Sequence, residues 1–177
     1  MDLGSVFAPL YDPLMSFAGW EMARRRVLAD LSGSVLDVGC GTAMAAADIG
    51  GEYTGVDSRL AMLIRGRSGR LVCAEAEALP FADATFDNVV SSAVLGLIEP
   101  RARRRALQEM ARVARGRLRI LEPVAPLGPL RRTLALSRHP LHVAELTDAG
   151  WRVDSVGPRL YGGVYTLVCA RPADQSR

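Results

Sequence analysis

Val35-Leu36-Asp37-Val38-Gly39-Cys40-Gly41-Thr42-Ala43 decides the fold of this chain. Three apolar residues around one acid read as a short buried strand, and the glycines at 39 and 41 end it abruptly. The run that follows, Met44 to Ile49, is alanine-rich and suits the start of a helix. Strand, glycine turn and helix form the front half of a nucleotide-binding βα unit. Glycine permits the tight turn and lets a ligand approach backbone amides with no Cβ in the way. A plain structural turn uses the same residues, so the ligand class has to be read from the neighbours.

Asp37 is the informative neighbour. Its carboxylate is expected at the strand end, beside the turn and the helix N-terminus, where it repels phosphate. The same carboxylate suits a ligand with an ammonium group or polar adenosyl atoms. The dinucleotide fingerprint also fails on spacing, because Met44 stands where its third glycine belongs. The turn therefore favours a cationic or zwitterionic adenosyl ligand over a nicotinamide dinucleotide.

VLDVGCGTA, residues 35–43, resembles the first motif of the class I S-adenosylmethionine-dependent methyltransferases, in particular the small-molecule, type 11-like group. Further matches follow in the same order, so that the resemblance covers about residues 11–170. It implies a Rossmann-like α/β fold: a seven-stranded, mostly parallel sheet with helices on both faces and the last strand antiparallel. It also implies S-adenosylmethionine as cofactor.

Length and composition agree with one such domain over 1–177. The 177 residues are 49% hydrophobic, enough to bury one core. No apolar run approaches the roughly 20 residues of a membrane span. The start, MDLGSVFAPLYDPL, carries an acid at position 2 and prolines at 9 and 13 and does not read as a secretory signal. Cys40, Cys73 and Cys169 lie far apart, which suggests reduced thiols in a cytoplasmic protein and neither a disulfide scaffold nor a metal site. All 22 basic residues are arginine, and the net charge of +3 is modest. A nucleic-acid binder concentrates more positive charge among aromatics. The partners expected are a small-molecule acceptor, with no nucleic acid and no membrane span; oligomeric state is not legible.

Outward from the motif, residues 13–30 read as a helix closed by Ser32-Gly33, and residues 1–30 resemble the family's N-terminal lid. Strand two is Glu52 to Val56, ending in Asp57. That acid falls 18 residues after Gly39, near the spacing at which a βαβ unit delivers a carboxylate to a ribose diol. Leu71 to Cys73 form a short third strand, Phe86 to Ser92 a fourth, and Leu118 to Glu122 a fifth. The near-continuous apolar character of these strands fits a sheet covered on both faces. Arg101 to Ala114 is an amphipathic helix with Ala106, Leu107, Met110 and Val113 inward, its arginines solvated and Arg105 paired with Glu109. Val124 to Arg138 breaks the pattern and reads as an inserted cover near the C-terminal strand ends. Pro140 to Ala149 is a helix closed by Gly150. Trp151 to Val156 and Tyr165 to Ala170 are strands six and seven.

Carried onto these positions, the resemblance implies cofactor contacts from Tyr11, Asp37, Gly39, Gly41, Asp57, Ser58, Met62, Glu75, Ala76 and Ser92. Glu75 stands where the family commonly has an aspartate that meets the adenine amino group, and Met62 where a methionine packs on the ring. Three departures are visible: Ala43 for a third glycine, Gly96 where relatives often place a histidine, and Arg115-Gly116-Arg117 as a shortened turn before strand five. The first costs little if the backbone there stays helical. The second leaves the proton acceptor open. His139 and His142, the only histidines, are the candidate catalytic residues because imidazole titrates near neutrality; Tyr161, Tyr165 and Glu122 are fallbacks. Ser91 and Ser92 lack the G-x-S-x-G elbow of a hydrolase nucleophile. The expected activity is methyl transfer to a small, partly apolar acceptor. The alternatives are a non-methylating reaction such as a cyclisation on the same fold, or a non-catalytic binding protein.

Overall fold

The computed structural model describes residues 20–66, 69–123, 139–157 and 165–173. In chain order these form α1 (Trp20–Leu28), β1 (Ser34–Val38), a 3₁₀ turn (Met44–Asp48), β2 (Glu52–Asp57), α2 (Leu60–Leu63) and β3 (Arg70–Cys73). They continue through β4 (Phe86–Ser92), a second 3₁₀ turn (Leu95–Leu97), α3 (Pro100–Val113), β5 (Ala114–Pro123), α4 (Val143–Asp148), β6 (Trp151–Val156) and β7 (Tyr165–Pro172). The strands make one sheet in the order β3-β2-β1-β4-β5-β7-β6. Strands β1 to β5 run parallel, and β7 inserts antiparallel between β5 and β6, as the resemblance implied.

The apolar runs of the parallel strands divide between two cores because successive side chains point to opposite faces. Leu36, Val38 and Val89 meet Leu107 and Met110 of α3 and Leu146 of α4 on one face. Val35 and Val90 meet Ala23, Val27 and Leu28 of α1 on the other. Trp151 closes the first core, its indole N–H donating to the carbonyl of Leu107 at 2.9 Å. Asp30, just after α1, pairs with Arg119 of β5 and fixes the second helix layer.

Several expectations need correction. The alanine run after the glycine turn is a single 3₁₀ turn, and Ala43 lies in the left-handed region at φ 56° rather than in helical conformation. No separate turn precedes the fifth strand: α3 passes directly into β5, and Arg115, Gly116 and Arg117 are already in the strand. Gly116 is suited to that place because a Cβ there would lie 2.5 Å from the carbonyl oxygen of Asp87. The last helix is shorter than the sequence suggests, Val143–Asp148. The arginines of α3 are not uniformly solvated, since Arg103 is fully buried and Arg112 half-buried. Glu109 pairs with Arg112 at 2.7 Å in place of Arg105.

Strand order reverses between β1 and β4, and the carboxyl ends of parallel strands beside such a switch point are where open α/β sheets bind ligands.

Candidate functional site

A cavity of about 330 Å³ opens at that switch point, within the roughly 300–1,000 Å³ of small-molecule pockets. Its lining draws on the ends of β1, β2 and β4, the glycine turn, α2 and the segment after β3. The glycine turn builds the floor. Gly39 and Cys40 both donate their amides to the carbonyl of Val56, at 2.7 and 2.9 Å. The amide of Gly41 donates to Oδ2 of Asp57 at 2.9 Å. Three amides of the turn are thus already bound within the protein, so the turn is no cradle for phosphate. Glycine is required at 39 for shape instead: φ is 78°, and a Cβ would lie 2.3 Å from Cγ2 of Val94.

Asp57 ends β2 and is buried, with Oδ1 accepting the amide of Arg59 at 2.9 Å. Each oxygen holds one backbone N–H, and a carboxylate oxygen has a second acceptor site left for a ligand. Asp37 lines the cavity from β1, but it is 3% exposed and accepts the hydroxyl of Tyr53 at 2.9 Å. Burial pushes its carboxyl up to about 6, against the pull of the Tyr53 hydroxyl and of Arg24, while Asp57 adds to the rise. Arg24, from α1, is a cavity residue that sequence reasoning missed. It is 5% exposed, and its Nε donates to Asp48 at 2.7 Å. It opens a run of three arginines, in which neither periodicity nor charge singles out the buried one.

Met62, Ser58, Glu75, Ala76, Ser92, Gly39 and Gly41 also line the cavity, so the structure brings together nine of the ten cofactor positions named from the sequence. The tenth, Tyr11, lies outside the described residues, as do Tyr161 and the cover at 124–138. The Glu75–Ala76 segment is held from α3: the Leu79 amide donates to Glu109 at 2.9 Å, and Arg112 donates to the carbonyls of Leu79 and Phe81 at 3.0 and 2.7 Å.

The candidate proton acceptors are placed elsewhere. Neither His139 nor His142 lines the cavity. The imidazole Nε2 of His139 lies 3.2 Å from Glu99, and its amide donates to the carbonyl of Gly96 at 2.9 Å. His142 sits at the N-cap of α4, its amide donating to Glu145 at 3.0 Å. Glu122 is buried and does not line the cavity either; its carboxylate accepts the amides of Val94, Leu95 and Gly96 at 3.1, 2.8 and 3.3 Å. Burial pushes its carboxyl up to about 7, and the three amides and Arg103 hold it from rising further. A fallback base so committed to structural hydrogen bonds is a poor proton acceptor for a ligand. Among the described residues, no cluster of histidines, cysteines or acids is arranged to hold a metal.

Residues 36–118 match the model of a methyltransferase domain family. The chain is 36% identical over 141 residues to a demethylmenaquinone methyltransferase of Renibacterium salmoninarum, covering 70% of this chain and 59% of that one. It is 38% identical over 119 residues to the enzyme of the same name from Corynebacterium urealyticum, covering 62% and 50%. The chain therefore spans between half and three fifths of the length of these curated relatives. A solved structure, a complex of the Haloferax volcanii Trm112 methyltransferase activator with a methyltransferase, superposes with a TM-score of 0.78 at 15% identity, over 98% of this chain and 99% of the other. That likeness is one of fold.

Proposed function

We propose that this chain is a class I S-adenosylmethionine-dependent methyltransferase that transfers a methyl group to a small, partly apolar acceptor, a reading supported by its match to a methyltransferase domain family and by its two curated relatives. The observation that carries the reading is the convergence of Gly39, Asp57, Met62 and Glu75, scattered in sequence, on one cavity at the strand-order switch. S-adenosylmethionine, when bound, supplies an electrophilic methyl on a sulfonium.

The residues fit that group. Asp57 would take the ribose diol, for which its free acceptor sites are suited. Met62 would pack on the adenine, with Glu75 and the amide of Ala76 at its polar edge. Asp37 and Arg24 offer opposite charges on one wall, which matches an amino-acid zwitterion. Ala93, Val94, Leu97 and Ile98 make the other wall apolar and shed water from the reacting end. The protein's contribution is then positioning: an in-line displacement gains most of its acceleration from orientation, and no imidazole lines the cavity to remove a proton.

The acceptor class follows the relatives' name. A demethylated quinol, apolar and aromatic, is the first compound to try. We take residues 1–177 as a single methyltransferase-like domain in the cytoplasm, with 1–30 as lid and 124–138 as cover over the acceptor. Among the described residues no helix is long and apolar enough to cross a membrane.

The test is product analysis with S-adenosylmethionine and a demethylated quinol. A methylated product with one S-adenosylhomocysteine per turnover supports the reading. A rearranged isomer with the cofactor unspent favours a cyclisation, and binding without turnover favours a regulatory protein.

A further inference from the structure

The segment Val94–Ile98 is gripped from two sides by side chains of opposite charge that do not line the cavity. Below it, Glu122 accepts three consecutive amides, those of Val94, Leu95 and Gly96. Beside it, the fully buried Arg103 donates through Nη1 to the carbonyl of Leu95 at 3.1 Å. One residue, Leu95, thus gives its N–H to a carboxylate at 2.8 Å and its C=O to a guanidinium. Bonds to charged partners are the strong ones, and a buried network of them fixes a single arrangement.

Arg103 is itself held. Its Nε and Nη2 each lie 2.8 Å from a carboxylate oxygen of Glu145 on α4, and Nη1 also donates to the carbonyl of His139 at 2.7 Å. The amide of His139 returns to the carbonyl of Gly96. The grip matters for the site because Val94, Leu97 and Ile98 form its apolar wall, and Val94 presses directly on Gly39 of the glycine turn.

Resting on the donor-site reading above, we propose that Glu122 and Arg103 are positioning residues for the methyl donor: they hold Val94–Ile98 as the fixed wall against which the cofactor seats. Neither touches the cavity, so each acts through the backbone of that segment. Glutamine at 122 has the right shape but one acceptor oxygen, and its amide N–H₂ would face the amide N–H of Gly96 or of Val94 and Leu95. Lysine at 103 keeps a positive charge but loses the planar fork that reaches Glu145 and Leu95 together.

The experiment measures amide hydrogen exchange over residues 93–98 in the ligand-free protein, and S-adenosylhomocysteine binding by calorimetry, for wild type, Glu122→Gln and Arg103→Lys. We expect exchange over 93–98 to accelerate in both variants while β1 and α3 keep their protection. Affinity should fall roughly tenfold, the loss that accompanies one charge-assisted hydrogen bond. Should a single variant fail to fold, the pair Arg103→Met with Glu145→Leu removes both charges of that ion pair together, so that neither partner is left buried without the other; it should show the same two effects. Folded variants that bind S-adenosylhomocysteine within twofold of wild type overturn this proposal alone, including any whose melting temperature falls. A wild-type chain that does not bind it at all overturns the donor-site reading and this one with it.

Discussion

Gly39 and Val94 are packed so closely that a Cβ on the glycine would lie 2.3 Å from Cγ2 of the valine. The floor and the wall of the cavity are one contact. Gly39→Ala should therefore destabilise the chain by about 2–4 kcal/mol, combining overpacking with a left-handed backbone. Val94→Ala in the same chain should recover the overpacking part but not the backbone part, a coupling that a double-mutant cycle isolates. Chemical denaturation of the four proteins checks it, and an unaffected Gly39→Ala removes the wedge from the account.

Asp57 is a second place where architecture and the proposed binding share a group. From the sequence it is a polar residue at the end of a strand, a place that supports little core. Its oxygens in fact hold the amides of Gly41 and Arg59, so Asp57→Ala should weaken the fold as well as the ligand. Asp57→Asn keeps one acceptor and is the better probe. It should weaken S-adenosylhomocysteine binding by about 1.5–3 kcal/mol, the range for hydrogen bonds to a charged group. Calorimetry at a temperature where the variant is fully folded decides, and unchanged affinity takes Asp57 out of the site.

Asp37 predicts a pH dependence with a definite sign. Its carboxyl rises from 3.8 to about 6 in the fold. A raised value means that the folded state favours the proton, so the contribution to stability is complete below about pH 4 and is lost as pH rises through 6. Ligand-free protein should lose stability on the order of 2–3 kcal/mol across that window from this group. Donor binding should run the other way, strengthening from pH 5 to 7 if the ionised carboxylate meets the cofactor's ammonium. Asp37→Asn should remove this group's share of the stability loss between pH 4 and 6, read by melting, and should flatten the binding trend, read by calorimetry. Glu122, raised to about 7, extends the stability loss toward neutrality and is unaffected by that substitution.

Ala43 carries a fourth test. It is a buried residue at φ 56°, where a glycine suits the backbone better but leaves a methyl-sized gap. Relief of the left-handed conformation, about 1–2 kcal/mol, is offset by the glycine's chain entropy and by the lost methyl burial of about 0.8 kcal/mol. Ala43→Gly should thus be within about 1 kcal/mol of neutral, whereas the β-branched Ala43→Val should cost clearly more. Equal stability of the alanine and valine proteins contradicts the left-handed assignment.

These cases show what the sequence carries and what it does not. Strand content, the place of the glycine turn and the identity of the cavity residues were legible, because buried parallel strands are apolar along their length and turn residues answer to local sterics. Ala43 was misjudged because alanine favours helix by local propensity, while the tight turn that ends at it imposes the left-handed conformation. Arg24, Arg103 and Glu122 were misread or missed for a different reason. A buried charge looks the same in sequence as a solvated one, and only the fold reveals the partner: Asp48 for Arg24, Glu145 for Arg103, three amides for Glu122.

The histidines give the last test. Imidazole chemistry made His139 and His142 natural candidates, yet neither lines the cavity, and His139 lies beside Glu99 with its backbone tied to Gly96 and Arg103. A general base supplies about 10²–10⁴ in rate, so a variant lacking it loses that much turnover. We expect His139→Gln and His142→Ala, singly and together, to keep turnover within roughly fivefold, far above that loss. What changes should be the anchoring of α4, read as a small fall in melting temperature for the His142 variant. Steady-state rates at saturating donor, followed from pH 6 to 9, separate the cases. A fall of a hundredfold with loss of a titration near neutrality returns one of these imidazoles to the reaction; a flat, nearly unchanged profile leaves positioning as the protein's main contribution.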